Sequence, residues 1–365
     1  MGRVGPTEVW WRAHYSWLLE HGFQLCERYK PDWVPSWKGR DPSETIKCED
    51  GQASREPSVL NAIRVKDGTH VVLKRIRAGS SHAEIENSVF LSSEKLCSLE
   101  KNHSVPVYNV LPRTTDEPQY DLIAILVLRH LWIRPFATVG EVVACVRQLV
   151  EGLAFIHEHR IAHRDCHRGN IMMDATPMYP QGFHFTSSFN LDMNRDWTAE
   201  ARPLSRTECV TPVKYYFIDF GHSMRFNYEE PTLAMPAYGG DKTAPEFRGD
   251  GINRPYDPFS TNVYYLGNAL REIFLDVRYI GLKFLRPFLA EMTHEDPTKR
   301  PTMPEVVVKF EKLVSGLGQR KLRMAVVQKD DLFALHTFIG GFGCWKRACT
   351  YWLKGLPAIP GGNQA

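Results

Sequence analysis

Apolar residues follow different periods before and after residue 132. Between residues 59 and 131, short β-branched runs alternate with turn signals, and the runs 59–65 and 69–76 flank the Asp67-Gly68 turn of a predicted hairpin. From residue 138 onwards, apolar residues recur at intervals of three and four, which predicts amphipathic helices. The pattern therefore predicts a small strand-rich lobe followed by a larger helical lobe.

Capping signals locate the predicted helices more closely. Thr138 and Glu141 form a capping box at the start of a long helix. Ser81 and Glu84 form another, which begins a helix that continues to about residue 97. Further helices are predicted over residues 7–21, over 261–277 and after Thr302, and further strands over 105–111 and 122–131.

Shifts in composition divide the chain into segments. Residues 1–55 are predicted to form an aromatic extension and linker, and residues 56–131 the small lobe. Residues 132–316 are predicted to form the large lobe, and residues 317–365 a C-terminal tail. Residues 175–212 are rich in Pro, Ser and Thr, which predicts a surface insertion in the large lobe. We expect the Trp residues of the extension to pack it onto the main body, because buried aromatic rings remove large apolar areas from water.

Charge and cysteine content narrow the class of protein. The 365 residues carry a net charge of +3 with 43% apolar residues, which gives no reason to expect nucleic acid or an acidic membrane as the partner. No run approaches the ~18 apolar residues of a membrane helix, and the first residues lack a secretion signal. The eight cysteines are scattered, as is typical of reduced thiols. We therefore expect a soluble, cytoplasmic protein, with the nucleus as the alternative.

Two stretches combine carboxylate and amide side chains with apolar runs. The first is His163-Arg164-Asp165-Cys166-His167-Arg168-Gly169-Asn170, and the second is Asp219-Phe220-Gly221, which follows the apolar run 215–218. Two carboxylates and an amide at the ends of such elements suit a divalent cation and the orientation of a hydroxyl group. Phosphoryl transfer needs both, because the protein supplies positioning and charge rather than covalent chemistry.

The order of the motifs resembles that of the protein kinases. H-R-D-x-x-x-x-N followed by D-F-G is the catalytic signature of this superfamily. Upstream, Val71-Val72-Leu73-Lys74 resembles its V-A-I-K strand, and downstream Ala244-Pro245-Glu246 matches its A-P-E. From about Trp10 to Val314, the sequence is also similar to kinase-like proteins of mushroom-forming fungi. The resemblance implies a bilobal α+β fold, with a small antiparallel β-sheet lobe that carries one helix and a larger, mainly α-helical lobe.

The resemblance also implies roles in catalysis and metal binding. Asp165 would accept or orient the proton of the substrate hydroxyl, and Asn170 and Asp219 would hold magnesium. From its position alone, Lys74 is either a solubilising charge on an edge strand or a phosphate ligand; the resemblance favours contact with the phosphates of ATP. Its ion-pair partner would be Glu86, with Glu84 as the alternative, because Glu84 already serves the helix cap.

Further roles concern the nucleotide and the structure of the large lobe. Leu128 would be the gatekeeper behind the nucleotide, and Arg129, His130 and Leu131 would form the hinge beside the adenine. Glu246 would form a structural ion pair with Arg300. His163 would belong to the hydrophobic stack behind the metal site.

Several positions depart from the pattern of the family. Gly51 is the only glycine between Gly39 and Gly68, so no glycine-rich phosphate loop precedes the hairpin. His167 stands where Ser/Thr kinases usually have a lysine, and the neighbouring Arg168 is the alternative source of positive charge. Asn262 replaces a usual aspartate; its amide accepts a hydrogen bond but carries no charge.

The segment from Gly221 to Ala244 is also unlike that of the family. It contains Thr232 and Thr243 as candidate phosphorylation sites for the phosphate-sensing Arg164. The leading expectation is an ATP- and magnesium-dependent protein kinase, with a Ser/Thr acceptor as the default. A pseudokinase that serves as a binding or scaffold module and a small-molecule phosphotransferase of the same fold are the alternatives.

Overall fold

The computed structural model describes residues 4–41, 43, 45, 48–54, 56–77, 82–113, 120–184, 203–228, 232–237, 240–276, 279–328 and 349–361. The chain divides into two compact units, and each contains helices and antiparallel strands. The first unit comprises Met1–His82, Pro106–Leu128 and Tyr179–Pro203, and the second comprises Ala83–Val105, Arg129–Met178 and Leu204–Ala365. The mixture of helix and antiparallel sheet agrees with the predicted secondary-structure class.

An antiparallel sheet forms the body of the first unit. Its five strands are ordered β1-β2-β3-β5-β4, with β1 at Phe23–Gln24, β2 at Val59–Arg64, β3 at Thr69–Arg77, β4 at Val107–Leu111 and β5 at Tyr120–Leu126. The predicted hairpin is confirmed, because Arg64 pairs with Thr69 across the turn. Gly68 takes a φ of +69° in this turn, a conformation that a glycine adopts without steric cost.

The N-terminal extension belongs to this sheet rather than forming a separate segment. It supplies β1 and two short helices, α1 at Val9–Ala13 and α2 at Tyr15–Glu20, which interrupt the predicted helix at His14. Trp11 and Leu18 are fully buried in the same core as Leu73 of β3, so the predicted packing of the extension is confirmed. The extension thus completes the sheet and shares its core.

A buried polar cluster fixes the connection between β1 and β2. The guanidinium of Arg28 donates to both carboxylate oxygens of Glu8, at 2.7 and 2.9 Å, and also to the carbonyl of Asp50. The next residue, Gly51, packs so closely that an added Cβ would lie 2.0 Å from the carbonyl oxygen of Thr45. Gly51 is therefore required for packing within the first unit.

The second unit contains seven of the α-helices of the described residues, and two predictions differ from the structure. The helix predicted to continue to about residue 97 is interrupted after Leu91, and the helix predicted over 261–277 spans Pro258–Arg271. The seven helices are α3 at His82–Leu91, α4 at Glu94–Cys97, α5 at Val139–Glu158, α6 at Pro258–Arg271, α7 at Arg286–Met292, α8 at Met303–Ser315 and α9 at Gln319–Leu322. The predicted cap of α5 is confirmed, because Thr138 accepts from the N–H of Glu141. The helix predicted after Thr302 is α8, and Thr302 forms a capping box with Glu305. The predicted cap at Ser81 lies outside the described residues.

Short strands connect these helices. They are β6 at Arg129–His130, β7 at Ile161–Ala162, β8 at Ile171–Met173, β9 at Tyr215–Phe217, β10 at Met224–Arg225, β11 at Tyr279–Ile280 and β12 at Val327–Gln328. The strands β6, β8 and β9 form one antiparallel ladder, and β7 pairs with β10. The predicted strand over 122–131 is thus divided: β5 ends at Leu126, and β6 belongs to a different sheet.

Part of the predicted surface insertion is buried. Arg206 is only 2% exposed, and its guanidinium donates to the carbonyls of Leu131, Arg134 and Pro135 at 3.1–3.2 Å. Thr207 donates to the fully buried carboxylate of Glu141 in α5. The prediction of a surface insertion is therefore wrong at these residues, while residues 185–202 of the insertion lie outside the described part of the chain.

The described end of the C-terminal tail packs on the second unit. The hydroxyl of Tyr351 donates to Ser205, and an added Cβ at Gly140 would collide with the carbonyl of Ala358. None of the helices in the described residues combines the length and apolar character that a membrane span requires. The cysteines of the described residues are free thiols.

Candidate active site

The loop 163–170 brings an acid and an amide into contact. It connects β7 to β8 and closes with a short 3-10 turn over Arg168–Asn170. The side-chain amide of Asn170 donates to Oδ2 of Asp165 at 2.8 Å and to its backbone carbonyl at 3.0 Å. Both side chains are almost fully buried, so the amide holds the Asp165 carboxylate in one orientation.

Asp219 lies at the same end of the β8–β9 ladder as Asn170. Ile171 pairs with Phe217 at this end, and the N–H of Ile218 donates to the carbonyl of Asn170 at 3.0 Å. Because the strands are antiparallel, the residue before β8 and the residues after β9 are neighbours. The structure thus brings together the three residues that the sequence predicted for metal binding and proton transfer.

The backbone of Asp219 adopts an uncommon conformation. Its φ of 61° and ψ of 73° place it in the left-handed region, where few non-glycine residues are found. The following Phe220 is fully buried, 4.7 Å from the ring of His163, and Nε2 of His163 donates to the carbonyl of Ile218. The buried ring and this hydrogen bond fix the turn, while Asp219 itself is exposed. The ring of His163 thus packs against Phe220, and its place in a stack behind a metal site stays a prediction.

The second oxygen of the Asp165 carboxylate faces another segment of the second unit. The backbone N–H of Asp241 donates to Oδ1 of Asp165 at 3.0 Å, and the hydroxyl of Tyr265 donates to the carbonyl of Asp241. Gly240 lies beside this contact with a φ of +70°. A carboxylate with one donor on each oxygen keeps further lone pairs and can accept a proton from a bound hydroxyl.

Arg164 and Asn262 fix the loop from behind. The N–H of Arg164, whose φ is 66°, donates to Oδ1 of Asn262 at 2.8 Å. The guanidinium of Arg164 donates to the hydroxyl of Tyr256 and to the carbonyls of His222 and Met235. The missing charge at position 262 does not remove this anchor, because a carbonyl oxygen accepts the same hydrogen bond.

His167 and Arg168 take different directions. Nδ1 of His167 accepts from the N–H of Gly169 at 3.0 Å, and Nε2 lies 3.6 Å from Oδ2 of Asp165. Arg168 is turned outward, with 55% of its side chain exposed and Nε 3.5 Å from a carboxylate oxygen of Glu272. The alternative that Arg168 supplies a positive charge beside Asp165 is therefore wrong.

The candidate nucleotide contacts are distributed over both units. Lys74 lies on β3 of the first unit, where it pairs with Val59 and Ile123; because β3 is an inner strand, the edge-strand interpretation is wrong. Leu128 is buried at the end of a segment of that unit, and Arg129 and His130 form β6 of the second unit. Their contacts with a nucleotide stay predictions.

The two candidate glutamates face opposite sides of α3. Glu84 is 5% exposed, and Asn87 and Ser88 are buried on the same face, whereas Glu86 is exposed. Glu84 therefore lies on the inner face of α3 and Glu86 on the outer face, and the ion pair of either residue with Lys74 stays a prediction. On the same face, the amide of Asn87 donates to the hydroxyl of Ser223, which in turn donates to the carbonyl of Phe220. Helix α3 is thus connected to the Asp219 turn within the second unit.

The predicted ion pair between Glu246 and Arg300 is confirmed. Two parallel hydrogen bonds of 2.8 and 2.7 Å join the guanidinium to the carboxylate, and Thr261 donates to the same carboxylate. Because Arg300 and Thr261 donate to it, the pKa of the Glu246 carboxyl falls below its usual value, although burial acts in the opposite direction. The side chain of Arg300 is fully buried, so this pair holds the segment around Glu246 against α6.

The donor set suits a small hard cation with few protein ligands. Asn170 uses its amide nitrogen on Asp165, which leaves its carbonyl oxygen for a cation, and Asp219 is a neighbouring carboxylate. Among the described residues, no three His, Cys, Asp or Glu side chains are grouped so as to hold a metal ion. Magnesium commonly takes one or two carboxylates and completes its shell with water and phosphate oxygens.

Several residues that build the site were not found from the sequence. The Asp241 N–H has no side-chain signature, and Arg206 donates mainly to backbone carbonyls, with further bonds to the side chains of Tyr215 and Met173. His157 was also missed; its Nε2 accepts from the side-chain amide of Asn262 at 3.1 Å. Its position in the last, polar turn of the otherwise apolar helix α5 was the signal in the sequence that could have identified His157.

Comparison with models of protein families gives no match for this sequence, and comparison with curated proteins gives none either. The resemblance to the protein kinases therefore rests on the motif residues of the sequence alone.

Proposed function

We propose that the protein is an ATP- and magnesium-dependent protein kinase that transfers the γ-phosphoryl group to a Ser or Thr hydroxyl. The observation that carries the proposal is the grouping of Asp165, Asn170 and Asp219 at one end of the β8–β9 ladder. These residue types supply what phosphoryl transfer requires, a proton acceptor and ligands for a divalent cation. The confirmed Glu246–Arg300 pair supports a protein acceptor, since it stabilises the segment that resembles the peptide-facing part of the kinases.

In this proposal, Asp165 accepts the hydrogen bond of the acceptor hydroxyl and takes its proton as the phosphoryl group is transferred. Asn170 and Asp241 hold the carboxylate in place, so that little reorganisation is needed in the transition state. Asn170 and Asp219 would hold magnesium, which would supply positive charge beside the phosphates. The left-handed turn at Asp219 is maintained by the buried ring of Phe220.

Phosphate transfer from radiolabelled ATP tests the proposal. The purified full chain would be incubated with MgATP and with casein, myelin basic protein and a panel of aminoglycosides and choline. We expect the wild type to label a protein. Asp165→Asn should lower the rate of phosphate transfer at least ~100-fold, because the general base is lost. Asp250→Asn removes an exposed acid of the same unit and should retain full activity. Equal labelling by wild type and Asp165→Asn would refute the proposal, and labelling of small molecules alone would redirect it to a small-molecule phosphotransferase.

A non-catalytic binding module is the second candidate, and Gly51 favours it. The kinase family covers the phosphates with a glycine-rich loop, whereas Gly51 packs against Thr45 within the first unit. A thermal-shift titration separates the candidates. Stabilisation by MgATP that Asp219→Asn weakens supports the enzyme, and no response to MgATP, with no phosphate transfer, supports the binding module.

A further inference from the structure

The imidazole of His167 is held in one tautomer by its own loop. The N–H of Gly169 donates to Nδ1 of His167 at 3.0 Å, so Nδ1 presents a lone pair and carries no proton. In the neutral ring, the proton must then lie on Nε2. The loop therefore presents a fixed, uncharged N–H donor at Nε2.

This donor faces the carboxylate of Asp165 across a small gap. Nε2 lies 3.6 Å from Oδ2 of Asp165, which is longer than the ~2.7–3.2 Å of an N–H···O hydrogen bond. An oxygen atom placed at about 2.8 Å from both atoms fits this separation. Oδ2 already accepts from Asn170 and keeps another lone pair for such an oxygen.

We propose that His167 positions the acceptor hydroxyl for attack, an inference that rests on the proposed function. A hydroxyl oxygen has one hydrogen and two lone pairs. Its hydrogen points to Oδ2 of Asp165, and one lone pair accepts from Nε2–H of His167. The remaining lone pair is directed towards the γ-phosphorus, so the two contacts select one rotation of the hydroxyl. His167 thus contributes orientation as a neutral donor, where a lysine would contribute a point charge.

Gly169 is the residue that allows the ring to take this position. A Cβ added at Gly169 would lie 2.6 Å from Cε1 of His167 and 3.1 Å from Nδ1. Any other residue at 169 would push the ring away from its place beside Asp165. Gly169 and His167 should therefore act as a single unit in catalysis.

A double-mutant cycle tests this coupling. We expect His167→Ala to lower kcat/KM for casein, or for another protein that the wild type labels, by about tenfold, the value of one hydrogen bond, with the KM for ATP unchanged. His167→Gln should recover much of the loss, because its amide is also a neutral donor. Gly169→Ala should reduce the rate in the wild type and have no further effect in the His167→Ala background. Since the His167 side chain is 42% exposed, its variants should fold, which thermal unfolding would check.

Each outcome separates this inference from the proposed function. No phosphate transfer by the wild type refutes the proposed function and with it this role of His167. Transfer by the wild type that His167→Ala leaves unchanged, or a loss confined to the KM for ATP, overturns the inference alone. Nitrogen-15 NMR of the histidine rings needs no activity. It should show an unprotonated Nδ1 and a protonated Nε2 at His167, and the opposite tautomer would overturn the inference.

Discussion

The side-chain amide of Asn262 donates to Nε2 of His157 at 3.1 Å, while its carbonyl oxygen accepts the N–H of Arg164 at 2.8 Å. Burial, together with the nearby His163, lowers the pKa of His157 to about 3, so the ring is neutral and Nε2 is an acceptor. An acceptor in this place requires a donor from residue 262, and an amide supplies it. The asparagine at position 262, which departs from the family pattern, thus supplies the donor that Nε2 of His157 needs, and it still anchors the loop through Arg164.

Replacing Asn262 by Asp should destabilise the second unit. The carboxylate would still accept from Arg164 but would face an unprotonated Nε2, so the pair needs a proton that the buried ring does not hold at neutral pH. We expect the free energy of unfolding to fall by about 1–3 kcal/mol at pH 8. The loss should be smaller at pH 5, because the new carboxylate raises the pKa of His157 in the variant and the ring can take up the proton that relieves the mismatch. Urea denaturation at the two pH values measures this. Asn253→Asp, at an exposed position, is the control, and a loss at Asn262→Asp that does not depend on pH would contradict the explanation.

Stability should decrease in mild acid because buried histidines are held neutral. Burial lowers the pKa of His103 to about 4 and that of His157 to about 3, from an ordinary value of 6.5. The unfolded chain therefore binds protons below pH 6.5 that the folded chain excludes, so acid favours unfolding. Each histidine should cost about 2 kcal/mol at pH 5 relative to pH 7.5. Urea denaturation across this pH range should show the loss of unfolding free energy. His157→Asn should make the unfolding free energy depend less steeply on pH. His21→Gln, at an exposed position, should leave it unchanged.

Local patterns predicted much of the fold, because they depend on residues close in sequence. The Asp67-Gly68 hairpin and the Thr138–Glu141 cap are of this kind. The first strand of the sheet was missed, since β1 has only two residues and pairs with a strand far along the chain. Such pairing is decided by tertiary packing rather than by local propensity.

In the candidate site, too, local motifs predicted some residues and missed those that depend on distant parts of the chain. The motif residues gave Asp165, Asn170 and Asp219, but not the backbone donor of Asp241, which any residue type could supply. On α3, the buried face runs through Glu84, Asn87 and Ser88, whose polar side chains concealed the helical period. The assignment of Glu84 to the cap then directed the prediction to Glu86, on the exposed face.

The Glu246–Arg300 pair should contribute far more to stability than a surface pair of similar geometry. Arg300 is fully buried and Glu246 is 11% exposed, so removing one partner leaves a buried charge without compensation. We expect Glu246→Gln or Arg300→Met to cost about 3–5 kcal/mol of unfolding free energy. The control is Arg248–Glu295, which has a 2.7 Å contact but 65% and 70% exposed side chains, and whose removal should cost under about 1 kcal/mol. Equal costs for the two pairs in urea denaturation would show that burial does not determine their strength.

Arg206 should be essential for the connection between β6 and α5. Its guanidinium donates to the carbonyls of Leu131, Arg134 and Pro135, and its fork geometry lets one side chain reach all of them. Arg206→Lys keeps the charge but loses most of these bonds, so we expect a cost of at least about 2 kcal/mol. Arg254→Lys, at an exposed position, should have no measurable effect on thermal unfolding. A tolerated Arg206→Lys would mean that charge alone is sufficient at this site.

Activity should not require phosphorylation at Thr232 or Thr243. The guanidinium of Arg164, the residue expected to bind such a phosphate, already donates to the hydroxyl of Tyr256 and to the carbonyls of His222 and Met235. These neutral acceptors hold the segment in place without an added charge, so a phosphate would have to displace them. We expect phosphatase-treated protein and Thr232→Ala and Thr243→Ala variants to retain the wild-type rate within about twofold, whereas Arg164→Lys should lose activity because it cannot make all three contacts. Loss of activity after phosphatase treatment, restored by incubation with MgATP, would instead mean that Arg164 exchanges these acceptors for a phosphate.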